Sequence, residues 1–261
     1  YHCIDLVDPG FPYSAALFQR DARSALDAIL DRGTLAILCG GTGLYVRAAL
    51  DDWDFPKGEL GADTRIRLEE EAELAGAERM HARLAAVDPE AAATIHPHNV
   101  RRVVRALEMA EEGTSYADQA ASFADRRSVY DTRFIGLTMD RADLYERIDA
   151  RVDGMLRDGL LEEIARLLAE GFHDALTSSQ AIGYKEFVPV VEGSVVLEEA
   201  VQDVKRASRR YAKRQLTWFR GDPRVEWLDV TGVATEDAAG YVAELVESAV
   251  RPGDGDEPGS A

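Results

Sequence analysis

Residues Thr34 to Cys39 form a short apolar run that ends in Gly40-Gly41-Thr42-Gly43 and opens directly into a helical pattern from Leu44 to Leu50. No other feature restricts the fold as strongly, because a strand joined to a helix by so short a turn belongs to a parallel sheet. The residues before it repeat the pattern. His2 to Val7 reads as a buried strand, Asp8-Pro9-Gly10 as a turn, and Ser14 as the cap of a helix. In that helix Ala15, Phe18, Ala22, Ala25, Leu26 and Ile29 recur at helical spacing up to Gly33. Strand, helix, strand, helix predicts an α/β fold with a parallel sheet, in which ligands sit at the carboxyl ends of the strands. The glycine turn leaves backbone N–H groups and a helix N-terminus open to an anion, and Thr42 adds a hydroxyl. The same glycines serve equally well as a tight turn that needs positive φ. The turn is not a phosphate-binding loop of the nucleotide-hydrolase type, since the Gly-Lys-[Ser/Thr] ending is missing.

From about Asp54 to Asp131 the pattern is helical throughout. Asp63 caps one helix, Asp88-Pro89 starts a short one in the cap-then-proline arrangement, and Asn99 caps another that stops at Gly113. Arg133 to Met139 restores a strand, and Val225 to Val230 gives a last one before the helix from Glu236 to Val250. The expected organisation is an α/β core built from residues 1–53 and 132–250, a helical insertion at 54–131, and a disordered acidic tail at 251–261.

Composition narrows the function classes. The chain of 261 residues has a net charge of -18 and 46% hydrophobic residues, enough for a sizeable core. No apolar run is long enough to span a bilayer, and no charged-then-apolar leader is visible within it. Cys3 and Cys39 sit in apolar runs and read as reduced structural thiols, and the spacings of metal-binding motifs are absent. These features place the chain in the cytoplasm. An acidic protein does not coat nucleic acid, so any polyanion contact must be local.

One stretch is local in that sense. Lys205 to Arg220 carries seven basic residues and no acidic one. At about 100° per residue, Arg206, Arg210, Lys213, Thr217 and Arg220 share one stripe, while Val201, Val204, Tyr211, Trp218 and Phe219 lie opposite. Such a stripe fits phosphates; acidic neighbours from elsewhere in the fold would neutralise it just as well. Gln215, on the packed side, wants a specific partner. Arg101, Arg102 and Arg105 form a second cluster, with Glu108 and Glu112 placed to pair with it. In the helix from about Ala142 to Arg157, Arg151 falls within the apolar stripe of Leu144, Ile148, Val152 and Met155. A buried guanidinium must face a carboxylate, a carbonyl cluster or a bound anion. Gly183, in the first turns of a helix capped near Ser178, predicts close approach of something beside Tyr184 and Lys185.

Four stretches now stand in order: His2 to Pro9 with Tyr13-Ser14-Ala15, Leu38-Cys39-Gly40-Gly41-Thr42-Gly43-Leu44-Tyr45, Gln180-Ala181-Ile182-Gly183-Tyr184-Lys185-Glu186, and Ala212-Lys213-Arg214-Gln215-Leu216-Thr217-Trp218-Phe219-Arg220. Together with His96-Pro97 and Arg105-Ala106-Leu107-Glu108, they make the chain resemble the tRNA dimethylallyltransferases over nearly its whole length outside the tail. The resemblance implies a P-loop NTPase-like parallel core with a helical insertion, and transfer of a five-carbon group from dimethylallyl diphosphate to N6 of an adenine. That adenine is position 37, next to the anticodon, in tRNAs reading codons that begin with U. The implied partners are the anticodon stem-loop and the prenyl donor, with Mg²⁺ as cofactor, nucleotide and ATP binding as family properties, and a monomer free of membrane.

Residue by residue, the resemblance gives Arg151 the diphosphate and Thr42 the substrate base. Arg101, Arg102 and Arg105, then Gln180, Gly183, Tyr184 and Lys185, then Lys213, Arg214, Gln215, Thr217, Trp218 and Arg220 match tRNA contacts, with Arg65 as a further one. The family's phosphate-binding loop and its general-base aspartate have no counterpart among these residues. Because the chain starts at Tyr1 within a strand-like run, the expectation is a sequence that lacks its front end. A non-catalytic tRNA-binding remnant is the second reading, and a nucleotide-kinase relative the third.

Overall fold

The computed structural model describes residues 1–55 and 63–250. The tail expected to be disordered therefore lies outside the described residues. In chain order the elements are α1 (Ala15–Leu30), α2 (Gly43–Leu50), α3 (Asp63–Ala75), α4 (Ala77–Val87), α5 (Pro89–Thr94), α6 (Val100–Glu111) and α7 (Tyr116–Ser122). They continue with β1 (Phe134–Thr138), α8 (Arg141–Arg157), α9 (Leu160–Ala169), α10 (Tyr184–Val191), α11 (Leu197–Arg220), β2 (Val225–Asp229) and α12 (Thr235–Val250).

The chain divides into two compact units, one of residues Tyr1–Thr132 with Leu161–Val195, the other of Arg133–Leu160 with Val196 onward. In this division residues 1–53 group with the helices that follow them and not with the strands. The reason lies in the two strands expected near the front. His2 to Val7 is irregular, because Cys3 and Asp5 take left-handed φ values of 59° and 53° that no extended strand tolerates. Thr34 to Cys39 has no ladder partner among the described residues, and Leu35 and Ile37 stand 54% and 79% exposed. A strand is defined by its hydrogen-bonded neighbour, so an apolar run without one is not a strand. The cysteines follow suit: Cys39 is exposed and Cys3 half-buried, both free, where a buried structural role was expected.

In the first unit, Ser14 caps α1 by accepting a hydrogen bond from Leu17 N at 3.2 Å, and Asp88 caps α5 by accepting one from Ala91 N at 2.9 Å, with Pro89 at the first helical position. Both were legible as caps. Helices α3 to α6 enclose an apolar core of Leu68, Met80, Leu84, Ile95, Val103 and Leu107. No strand interrupts residues 63–131 apart from a single bridge of Asp51 to Ser128, so the helical reading of this stretch holds among the described residues.

In the second unit, β1 and β2 pair in parallel, Phe134 opposite Val225 through Thr138 opposite Asp229. Parallel pairing was the expectation; the sheet is smaller than foreseen. Gly136 admits no side chain, since an added Cβ would lie 2.7 Å from Val225 Cγ1 and 2.9 Å from the Trp227 ring. Arg133 clasps Glu226 with two hydrogen bonds of 2.9 and 2.7 Å and holds its carboxyl below the usual range. Helices α8 and α11 pack together in the same unit.

Candidate functional site

The motif stretches of the first unit converge. Ser178 Oγ donates to the carbonyl of Pro9, and Tyr13 N donates to Thr177 Oγ1 at 3.4 Å. Tyr13 OH donates to Asp21 at 2.9 Å, and burial, with this hydrogen bond second, raises its pKa. Tyr45, from the helix that follows the glycine turn, stacks on Phe18 with ring centroids 4.6 Å apart. Together Val7, Pro9, Tyr13, Tyr45 and Thr177 line an open cleft of about 410 Å³. Thr42 is the N-cap of α2, exposed, and its carbonyl accepts from Val46 N at 3.0 Å.

The stretch Gln180 to Lys185 folds differently from expectation. Residues Ser178–Gln180 make a 3-10 turn and α10 starts only at Tyr184. Gly183 is its N-cap at φ 96°, and nothing lies within 4 Å of where a Cβ would be. The glycine is therefore required by its backbone conformation, and the anticipated close approach is absent among the described residues. Glu186 closes the turn by accepting from Gly183 N at 2.8 Å. Tyr184 OH donates to Glu163 at 2.6 Å, and this bond, with burial, pushes its pKa up to about 12. Gln180 and Lys185 are exposed.

The arginines of the helical cluster separate into two kinds. Arg65 and Arg105 both reach Oε2 of Glu108 at 2.7 Å, and that carboxylate is fully buried. The pairing of Arg105 with Glu108 is the structural alternative the spacing had offered, and Arg65 turns out to share it. Arg101 and Arg102 are exposed on α6 with no ion pair among the described residues.

In the second unit α11 is split along its length. Lys205 lies 2.7 Å from Asp153, Arg209 reaches Asp149 at 2.7 and 2.9 Å, and Arg206 pairs with Asp203. Further on, Arg210, Lys213, Arg214 and Arg220 are exposed and form no ion pair among the described residues; Arg214 lies over the Tyr211 ring at 5.5 Å. Trp218, expected on the packed side, is 45% exposed and borders this free face. Thr217 donates to the Lys213 carbonyl at 2.9 Å, and Gln215 is half-buried with no side-chain hydrogen bond among the described residues.

Arg151 is exposed, not buried in an apolar stripe. On α8 only Val152 is fully buried, so the edge of the stripe on which Arg151 lies faces solvent and the forced partner disappears. Sequence reasoning passed over Arg147, also exposed and four residues before Arg151, a spacing that would have found it. It also missed the buried pair Arg47–Asp51, 2.5 Å apart, in which Arg47 lies 4.5 Å over Trp53. The described residues hold no group of three or more His, Cys, Asp or Glu side chains fit to bind a metal, so they do not form a cage for Mg²⁺. No helix among them is long and apolar enough to cross a membrane.

A glycine turn feeding a helix, a parallel strand pair and a cationic helix whose end forms no ion pair among the described residues define a mostly helical α/β protein. The family is definite: a family model described as IPP transferase matches residues 1–222, and the chain belongs to that family. It is 48% identical over 231 residues to a tRNA dimethylallyltransferase of an Exiguobacterium species, covering 88% of this chain and 72% of that protein. It is 46% identical over 231 residues to the Bacillus subtilis tRNA dimethylallyltransferase, covering 88% and 73%. Among solved structures, the full-length tRNA isopentenylpyrophosphate transferase of Bacillus halodurans matches with TM-score 0.64 and 40% identity, covering 95% of this chain and 77% of that one. A eukaryotic dimethylallyltransferase captured acting on tRNA matches with TM-score 0.73 and 26% identity, covering 98% and 67%.

Proposed function

We propose that this protein transfers a dimethylallyl group from dimethylallyl diphosphate to N6 of the adenine next to the anticodon in tRNAs reading codons that begin with U. The observation that carries the reading beyond family membership is the free end of α11, where Arg210, Lys213, Arg214 and Arg220 are exposed without an ion pair among the described residues and Trp218, one turn beyond Arg214, is exposed as well. In a chain with 48 acidic and 30 basic residues, cations left unpaired on one rigid face serve an external polyanion. An exposed aromatic ring at their edge suits an unstacked base of a loop. The partner is the anticodon stem-loop, bound by one copy of the protein in the cytoplasm. Exposed Arg101, Arg102, Gln180 and Lys185 extend the contact, whereas Arg65 and Arg105 hold Glu108 and support it indirectly.

The chemistry follows from the two substrates. Adenine N6 attacks C1 of the donor, the C1–O bond breaks with its electron pair passing to the diphosphate, and the nitrogen gives up a proton. Negative charge grows on the leaving group, so the exposed guanidinium of Arg151 stabilises the transition state more than the ground state. Thr42, at the carboxyl side of the glycine turn, contacts the substrate base. Mg²⁺ accompanying the diphosphate would supply charge neutralisation there, a role that needs few protein ligands; none is assigned to it among the described residues. The core is of P-loop NTPase type with the helices of 54–131 inserted, a reading supported by the parallel pair β1–β2. The reading as a non-catalytic remnant is not favoured, since the relatives over most of this chain bear an enzyme's name.

The test is binding of an anticodon stem-loop at several salt concentrations. The double variant Lys213→Ala, Arg214→Ala weakens binding and lowers the slope of log affinity against log salt by about two. Unchanged affinity would return the free face of α11 to ordinary solvated surface.

A further inference from the structure

On helix α8 one acidic pair and one basic pair lie on opposite faces. Asp149 and Asp153, one turn apart, are each occupied by a cation of α11, Arg209 at 2.7 Å and Lys205 at 2.7 Å. Arg147 and Arg151 are also one turn apart and lie about 200° round the helix from that acidic pair. Both are exposed, and neither has an ion-pair partner among the described residues. In a protein of net charge -18, two adjacent guanidiniums that form no ion pair among the described residues, even with Asp143 one turn before Arg147, are the reverse of what composition favours. Arg147 is moreover the one charged residue among the described residues lining a cavity of about 180 Å³ at the carboxyl ends of β1 and β2. The rest of that wall includes Leu137, Leu144, Leu216, Val230 and Val233.

We propose that Arg147 is a second cation for the diphosphate of the prenyl donor, acting beside Arg151, and that the adjoining apolar cavity receives the donor's hydrocarbon end. This rests on the donor named in the proposed function. Side chains one turn apart start about 5–6 Å from each other, so each guanidinium can take one phosphoryl group in a charge-assisted contact. Apolar walls lower the effective dielectric and strengthen that contact. An RNA phosphodiester offers the anion too, but its neighbours are polar riboses; a prenyl diphosphate alone brings an anion joined to a hydrocarbon. A cavity of 180 Å³ has room for several waters' worth of volume, at about 30 Å³ each, and so for a five-carbon group.

The experiment uses the full protein expressed from its gene and the variants Arg147→Gln, Arg147→Lys and Val233→Phe. Calorimetry gives affinity for inorganic diphosphate, a filter assay gives affinity for the stem-loop, and steady-state kinetics gives KM for dimethylallyl diphosphate. Arg147→Gln is expected to weaken inorganic diphosphate about tenfold or more while leaving stem-loop affinity unchanged, with Arg147→Lys in between. Val233→Phe, which fills the cavity, is expected to raise donor KM about tenfold and to leave inorganic diphosphate affinity as it was. Unchanged diphosphate affinity in Arg147→Gln overturns the proposal, and so does a loss of stem-loop affinity with a flatter salt dependence, which would give Arg147 to the RNA backbone. Unchanged donor KM in Val233→Phe overturns the cavity's part. Failure of the functional reading itself would show without any substitution, as an unaltered protein that binds neither diphosphate nor stem-loop.

Discussion

Glu108 is the residue on which the helical cluster depends most. Its carboxylate is fully buried, and Arg65 and Arg105 both bond to the same oxygen while the other oxygen has no partner among the described residues. Removing one member of a buried ion network leaves the rest uncompensated, so Glu108→Ala is expected to destabilise the protein by about 3–5 kcal/mol. Chemical denaturation checks this; a loss below about 1 kcal/mol would mean that the two arginines find other partners. Tyr184 makes a different forecast. Its hydrogen bond to Glu163 raises its pKa to about 12, above the value near 10 of an unfolded chain. The folded state thus holds the proton more tightly, the bond's contribution is complete below about pH 10, and it fades as pH climbs toward 12. The difference in phenolate absorbance between the unaltered protein and Tyr184→Phe should rise only near the upper end of that window. A rise near pH 10 would refute the bond. At Arg151 the expected outcome is kinetic: Arg151→Ala abolishes prenyl transfer and spares stem-loop affinity, and equal loss of both would remove its assigned role.

At the scale of elements, the sequence carried the helices because their signals are local. Ser14 and Asp88 cap where a side-chain oxygen stands ahead of an apolar period, and α6 keeps Val103, Val104 and Leu107 on one buried face. The front strands were illegible for the opposite reason. Their apolar character is local, but ladder partners are not, and Ile37 at 79% exposure shows an apolar run without a sheet to bury it. Burial on helix faces was legible only to within a stripe's width. Arg151 and Trp218 both lie at the edge of a stripe, where a small rotation decides between core and solvent. The division of α11 into a neutralised and a free half was beyond sequence, since Asp149 and Asp153 lie more than fifty residues away. Leu84, fully buried between the helices of the cluster, is expected to destabilise the protein by about 2–5 kcal/mol when changed to Ala, with thermal unfolding as the check.

Across the whole molecule, charge is the property that ties structure to function. A net charge of -18 keeps the chain from general adhesion to nucleic acid, and its carboxylates silence the cations that lie near them, as at Arg65, Arg105, Lys205 and Arg209. What survives that silencing, the end of α11 and the arginine face of α8, is where anionic substrates are expected. Motif order made the family legible in the sequence, because Gly40 to Tyr45, Gln180 to Glu186 and Ala212 to Arg220 follow one another within residues 1–222, the stretch that the family model matches. The arrangement of the free cations was not, because it depends on which carboxylates fold beside them. The most direct measurement is transfer of the prenyl group from dimethylallyl diphosphate to an anticodon stem-loop in the presence of Mg²⁺, followed by mass spectrometry of the nucleosides. The account predicts a five-carbon group on N6 of the adenine beside the anticodon, and none when that adenine is replaced by guanine. An unmodified stem-loop that still binds the full protein tightly would contradict it and leave a tRNA-binding protein without transferase activity.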